Sequence, residues 1–240
     1  MFASQPAFYC DEPWLEFNHL LVRQLAFCIC SPNILASIPL ELTVKHSFNL
    51  HNNEIWNTHF QNYHSRLLFL DQHPQALELF VQQLKSTRLG LRFEMLLWFW
   101  LLDQDYHPYQ LIGHSIQKIA GAKTLGELDF VLFNQNTQQV EHWEVALKYY
   151  LAERDSSLKY WYGLNRSDTL LRKLNHFSQK QFQFEDALDH RIEQRYVVLK
   201  GQLYVPLNFS NDTPEWVNLE RRLGCWGSVI PHKNDGFYRL

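Results

Sequence analysis

Two acidic residues stand inside segments of the chain that are otherwise apolar enough to be buried. The first segment is GELDF, residues 126–130, which contains Asp129, and the second is WEVALK, residues 143–148, which contains Glu144. A buried carboxylate costs several kcal/mol unless it is paired, hydrogen-bonded or bound to a cation. The fold must therefore either neutralise these acids by packing or bring them to a metal ion.

The composition is that of an ordered globular protein. The chain has 240 residues, of which 46% are hydrophobic and 15% aromatic, enough for one main domain with a sizeable core. A formal net charge of −3 gives no general attraction to nucleic acids or membranes, so any nucleic-acid site has to be local. The longest apolar run, residues 95–102, is too short to span a bilayer.

Cysteine and histidine usage argues against disulfide-rich and zinc proteins. The four cysteines, at positions 10, 28, 30 and 225, are too few and too irregularly spaced for a disulfide framework or a four-cysteine zinc site. No HExxH or other close His–Cys spacing is present, and His142 is expected to alternate away from the neighbours of Glu144. The N-terminus lacks the pattern of a secretory signal. We expect a cytoplasmic protein without membrane association; the sequence does not indicate an oligomeric state.

Changes in hydrophobic periodicity divide the chain into three regions. We expect a helical N-terminal region over residues 1–87, a core over residues 88–205 and a C-terminal extension over residues 206–240. In the first region one helix is predicted over about residues 13–28 and another is predicted to open at Pro74.

The core is predicted to have the element order α-β-β-β-α-β. Its first helix is strongly apolar and carries Glu94 on or beside the buried stripe, and its third strand is predicted to lead into a helix near Tyr149. The predicted elements are a helix over 91–104, strands over 109–119, 125–133 and 139–147, a helix over 165–179, and one long or two short strands over 195–207.

Strand alternation places the two acids where one cation could bind both. Glu144, Ala146 and Lys148 share a face of their strand, and a hairpin with the preceding strand brings Asp129 within reach of Glu144. Carboxylate oxygens are the ligands that Mg²⁺ and Mn²⁺ require, and a lysine beside them can stabilise charge or position an attacking water. Glu94 would complete the ligand set from the helix. In the alternative interpretation the acids are structural and packing neutralises them.

A helical interpretation of residues 141–154 gives Glu144 and Lys148 a different role. The segment EHWEVALKYYLAER is rich in helix formers, and on a helix the two residues would form an exposed i,i+4 ion pair worth about 0.2–0.5 kcal/mol. Aromatic and β-branched residues before Leu147, together with the preceding polar turn NQNTQ, favour a strand.

A basic stretch lies between residues 157 and 180. It carries five Lys or Arg residues against one acid, Asp168. Arg166, Arg172 and Lys173 are the candidates for binding the phosphates of a nucleic acid. In the alternative interpretation this stretch is a solvated helix face.

The quoted motifs together resemble the bacterial domain-of-unknown-function 1853 family. The resemblance rests on GELDF followed by HWEVALKYYL, on RFEMLLWF before them, on GLNRSDTLLRKLNH after them and on the opening segment VRQLAFCICSPNIL, so it covers most of the chain. That family is similar to the PD-(D/E)XK nuclease-like superfamily, whose core has the order α-β-β-β-α-β. The resemblance implies a restriction-endonuclease-like α/β fold with an N-terminal helical extension, and a C-terminus longer than the one that ends here at GFYRL.

The same resemblance assigns roles to individual residues. Asp129 matches the first motif aspartate, Glu144 the second acid and Glu94 the helix glutamate of many members. The superfamily lysine normally follows the second acid by two positions, where this chain has Ala146; Lys148 stands two residues further along the same strand face, about 6.6 Å away.

The resemblance therefore implies a Mg²⁺- or Mn²⁺-dependent nuclease. Asp129, Glu144 and Lys148 would be catalytic, and Glu94, Asp129 and Glu144 would hold the metal. Nucleic acid, with DNA preferred over RNA, would be bound by Arg166, Arg172 and Lys173. The alternative is a catalytically inactive protein of the same fold that binds nucleic acid or another protein.

Overall fold

The fold is a mixed α/β arrangement built on one mostly antiparallel sheet. The computed structural model describes residues 12–207, 209 and 212–228. Cys10 lies outside these residues. Cys28, Cys30 and Cys225 are free cysteines in the described part of the chain.

The N-terminal part of the described chain is helical. A 3₁₀ turn, Pro13–Glu16, precedes α1 (Leu20–Cys30), α2 (Asn53–Gln72), α3 (Gln75–Val81) and α4 (Leu89–Leu102). The predicted helix over about residues 13–28 is wrong at its start, because the backbone is extended at Phe17 and the helix begins only at Leu20. α3 begins directly after Pro74, as predicted. None of the described helices is long and apolar enough to cross a membrane.

The sheet follows the helices along the chain. Its strands β1 to β3 are consecutive and antiparallel, β7 lies parallel to β3, and β8 lies parallel to β7, giving the order β1-β2-β3-β7-β8. Short strand β4 pairs with the end of β3, while β5 and β6 form a separate hairpin. The bounds are β1 (Tyr109–Ala120), β2 (Lys123–Asn134), β3 (Gln139–Ala152), β4 (Trp161–Tyr162), α5 (Leu170–Gln179), β5 (Asp186–Ala187), β6 (His190–Arg191), β7 (Gln194–Pro206) and β8 (Gly224–Trp226).

The larger elements of the predicted core occur in the expected order α4, β1, β2, β3, α5, β7. The helix predicted near Tyr149 is wrong, because β3 continues to Ala152 and is paired there with β4 and, up to Leu151, with β7. The same pairing excludes a helical ion pair between Glu144 and Lys148, which lie on a strand.

Alternating residues of β3 face two different cores. Trp143 and Val145 belong to an apolar cluster shared with α1, α2 and α4. Ala146 and Tyr150 belong to a second cluster, on the other face of the sheet, shared with α5. By alternation Glu144 lies on the α5 side of the sheet.

The backbones of β3 and β7 approach each other closely at Gly201. Its φ is +133°, which side chains disfavour, and a Cβ added there would overlap the carbonyl oxygen of Lys148. We predict that Gly201→Ala lowers the free energy of unfolding by about 2–6 kcal/mol, from about 1–3 kcal/mol each for overpacking and backbone strain. Urea denaturation measures this loss.

Gly90→Ala is the matched control for that substitution. Gly90 lies in α4, and a Cβ there meets nothing within 4 Å. Since alanine is the better helix former by about 1 kcal/mol, this variant should be as stable as the wild type or slightly more stable. Equal stability of Gly201→Ala and Gly90→Ala would contradict the close packing of β3 and β7.

Candidate functional site

The strands that carry the two predicted acids separate where those acids lie. β2 and β3 are paired as far as Phe130 opposite Trp143, and the paired register ends there. Beyond this point the Asp129 carboxylate replaces a backbone acceptor, since its Oδ2 accepts a hydrogen bond of 2.8 Å from the Val145 N–H. The Glu144 carboxylate in turn accepts from the Asp129 N–H. The two acids are thus held together at the opening between the strands.

Glu144 is the more deeply buried of the two acids. Its side chain is 1% exposed; Oε1 lies 2.7 Å from His142 Nε2, and Oε2 accepts a hydrogen bond of 2.6 Å from Gln181 Nε2. Burial raises the pKa of Glu144 to about 8, although the Gln181 hydrogen bond and the charge of Lys173 act in the opposite direction. Glu144 therefore retains a proton in the neutral range that an exposed glutamate would have lost.

His142 is neutral at this site. Burial lowers the pKa of His142 to about 3, so the ring bonds Glu144 as an uncharged imidazole. His142 and Glu144 share a face of β3, as residues two apart on a strand do, and the neighbours Trp143 and Val145 face the other core.

Asp129 is partly buried, and its ionisation is also disfavoured. Burial raises the pKa of Asp129 well above its usual value, and the charges of Glu144 and Glu94 add to this effect. The Val145 N–H and the charge of Lys173 act in the opposite direction. The charge of Glu144 thus disfavours the ionisation of Asp129, which is a setting that a cation would relieve.

Glu94 lies near the pair but is bonded elsewhere. Its Oε1 accepts hydrogen bonds from His114 Nε2 at 2.8 Å and from the Ser115 hydroxyl at 3.2 Å. The charge of Glu94 nevertheless adds to the raised pKa of Asp129 and of Glu144. The charge of Glu94 thus acts on the acid pair, while its carboxylate is hydrogen-bonded to His114 and Ser115.

Asp129 and Glu144 each bring one carboxylate to the opening between β2 and β3. Each carboxylate offers about four lone-pair positions, so the hydrogen bonds described above leave acceptor capacity for a cation. Mg²⁺ is commonly held by one or two carboxylates, with waters and substrate phosphates completing its shell. In the ranges that the structure describes, no group of three or more His, Cys, Asp or Glu side chains is arranged to hold a metal.

Lys148 lies on the predicted strand face, but it pairs with a different acid. Its Nζ donates to Asp168 Oδ2 at 2.6 Å, and the Tyr150 hydroxyl donates to Oδ1 of the same carboxylate at 3.3 Å. Asp168 immediately precedes Thr169, the residue that caps α5. Lys148 is therefore held at the beginning of α5.

Lys173, on α5, is the lysine whose charge acts on both acids of the pair. Its Nζ lies 4.0 Å from the ring centroid of Phe177, one turn further along the helix. Burial lowers the pKa of Lys173, and the charges of the acid pair oppose that shift.

A basic cleft of about 500 Å³ runs along the outer side of α5, and Lys173 is one of its lining residues. Arg172 and Lys180 line the same cleft, where the opposing acid is Asp168. The structure thus brings Arg172 and Lys173 together.

Arg166 is placed differently from the other two predicted phosphate-binding residues. Its guanidinium donates to both oxygens of Glu153 at 2.5 and 3.1 Å and lies 4.3 Å from the ring centroid of Tyr162. The residues that line the basic cleft do not include Arg166.

Two further partners of the predicted site residues could not be identified from the sequence. Gln181 bonds Glu144 across 37 positions of the chain, and Asp168 bonds Lys148 across 20. Neither pair has a periodic spacing that would indicate contact. His142, in contrast, could have been found from its position two residues before Glu144 on a predicted strand.

A comparison with family sequence models matches residues 23–234 to the family described as "Domain of unknown function (DUF1853)". The match covers most of the chain. No curated protein and no solved structure matches significantly.

The raised pKa of Glu144 predicts how its removal changes stability with pH. Because the folded pKa of about 8 exceeds the ordinary value of 4.5, the folded protein binds the extra proton between these pH values. This carboxyl therefore makes folding less favourable as pH rises, by up to about 1.4 kcal/mol per pH unit. Glu144→Gln keeps the volume and removes the charge, so its stability relative to the wild type should increase from pH 5 to pH 8. Urea denaturation across this range measures the difference; a constant difference would contradict a raised pKa.

Proposed function

The chain belongs to the DUF1853 family, and we propose that it is a divalent-cation-dependent nuclease that hydrolyses phosphodiester bonds of nucleic acids on a PD-(D/E)XK-like core. The observation that carries this proposal is the pairing of Asp129 and Glu144 where β2 and β3 separate. The element order α4, β1, β2, β3, α5, β7 and the parallel pairing of β3 with β7 support it.

The proposed reaction adds one water across a phosphodiester. The water oxygen bonds to phosphorus, the bond from phosphorus to the leaving oxygen breaks, and the products are a phosphomonoester and a hydroxyl group. Asp129 and Glu144 would hold Mg²⁺ or Mn²⁺, which polarises a phosphate oxygen and activates the attacking water. Arg172 and Lys180 would bind neighbouring phosphates in the basic cleft.

A second function, nucleic-acid binding without hydrolysis, is favoured by a separate observation. Ala146 occupies the position at which the superfamily lysine normally stands, and the Lys148 ammonium is held by Asp168. A protein of this kind would use the basic cleft without needing a cation at the acid pair. Metal binding and cleavage therefore distinguish the two functions.

We predict that Mn²⁺ or Mg²⁺ stabilises the folded protein. A ligand at one hundred times its dissociation constant adds about 2.7 kcal/mol, which raises the melting temperature of a chain of this length by about 5–10 °C. Glu144→Gln and Asp129→Asn should each abolish this rise, because each removes half of the carboxylate pair. Thermal denaturation with and without millimolar Mn²⁺ at pH 8 measures it.

Glu153→Gln is the matched control for these two variants. Glu153 is an acid whose partner is Arg166, outside the acid pair, so its removal should leave the metal-dependent rise unchanged. A wild-type melting temperature that does not respond to Mn²⁺ would contradict the nuclease proposal and favour the binding function.

We predict that nucleic-acid binding depends steeply on salt and on the basic cleft. Each phosphate contact that is lost should reduce the slope of log K against log salt by about 0.9 for duplex DNA. Arg172→Ala and Lys180→Ala should each do so, whereas Arg166→Ala should not, because Arg166 pairs with Glu153 outside the cleft. Fluorescence anisotropy with a labelled duplex from 50 to 200 mM salt measures the slope. Binding that is independent of salt, or equally weakened by Arg166→Ala, would mean that phosphates do not occupy the cleft.

A further inference from the structure

Two lysines lie on the α5 side of the sheet, and their partners differ. The Lys148 ammonium is bound by Asp168 at 2.6 Å, and Tyr150 binds the other oxygen of the same carboxylate. Lys148 and Asp168 have side chains that are 29% and 36% exposed, so this ion pair lies at the protein surface. The ammonium of Lys148 is thus already engaged by an acid outside the pair.

Lys173 lies on α5, the helix that precedes Gln181, whose side chain bonds Glu144. It stands on α5, where the neighbouring Leu170 and Leu174 are fully buried and fix the helix against the sheet. The Phe177 ring supports its ammonium from one side. The same lysine lines the basic cleft. Phe177 packs against Phe182, and Phe182 contacts His142, whose ring bonds Glu144.

We propose that Lys173, and not Lys148, is the catalytic lysine of this site, in contact with the phosphate that is cleaved beside Asp129 and Glu144. This assignment rests on the proposed nuclease function. A lysine ammonium is a compact charge on a flexible stem, so a helix can deliver it to the same point as a strand residue would. Its charge would stabilise the negative charge that develops on the phosphate oxygens during attack.

The placement of Lys173 can be tested without any cleavage. Removing a nearby positive charge raises the pKa of a carboxyl group. In a ¹³C NMR titration of carboxyl-labelled protein, with the Glu144 signal identified by its loss in Glu144→Gln, Lys173→Met should raise the pKa of Glu144. Lys173→Arg keeps the charge, so its Glu144 should have a pKa closer to the wild-type value than the Glu144 of Lys173→Met.

Lys148→Met is the matched control in the same titration, because it removes a lysine from the same side of the sheet. Lys148→Met should change the pKa of Glu144 less than Lys173→Met does, because the charge of Lys148 acts on Lys173. A shift in Lys148→Met with none in Lys173→Met would overturn the assignment. Circular dichroism establishes that each variant is folded before it is titrated.

Cleavage of DNA with Mn²⁺ under single-turnover conditions tests the catalytic role. Lys173→Met should reduce the rate by at least about 100-fold, the loss typical of one group that stabilises developing charge. Lys148→Met should stay within about tenfold of the wild type, and both variants should keep the Mn²⁺-dependent rise in melting temperature.

The outcomes separate this assignment from the proposed function. A wild-type protein that cleaves nothing would contradict the nuclease proposal and, with it, the catalytic role of Lys173. The titration would still show which of the two lysines acts on the acid pair. A wild type that cleaves, with Lys173→Met equally active, would overturn the catalytic role of Lys173 alone.

Discussion

The burial of Glu144 beside Asp129 is the constraint on which the rest of the site depends. An enclosed carboxyl is unfavourable unless neighbouring groups compensate for the lost water. The compensating groups come from three parts of the fold: His142 on the same strand, the Asp129 N–H across the opening, and Gln181 after α5. One side chain thus links the separation of β2 and β3 to the position of α5. The hydrogen bonds reduce the effect of burial without cancelling it, which is why the pKa of Glu144 stays raised.

Much of the sheet could be predicted because its signals are local in the sequence. Alternation between apolar and polar residues located β1, β2 and the first part of β3, and a hairpin between the last two placed Asp129 near Glu144. The helix predicted near Tyr149 is wrong for a physical reason. The helix-forming residues there are overruled by strand pairing on both edges of β3, with β7 and with β4. Local propensity alone does not contain that information.

Contacts between distant segments could not be predicted from the sequence. The alternation that put Lys148 on the face of Glu144 gave no sign of Asp168, which binds its ammonium. Lys200 is a second case: it is fully buried in β7, donates to the Ser31 carbonyl 169 positions away, and has its Nζ 3.3 Å from the ring centroid of Trp56. Pattern-based inference recovers which residues share a face, whereas the partner of a charged residue depends on packing between elements.

A divalent cation shared by Asp129 and Glu144 is tested most directly by anomalous diffraction. Protons and metal ions compete for the same carboxylate oxygens, so crystals should be soaked in Mn²⁺ above pH 8, where Glu144 loses its proton. Data collected at the manganese edge should then show one peak about 2 Å from a carboxylate oxygen of each acid. Crystals of Glu144→Gln, treated in the same way, should lack that peak. A wild-type crystal with no peak between the two acids at saturating Mn²⁺, and with Glu144 still bonded to Gln181, would contradict a metal-dependent site.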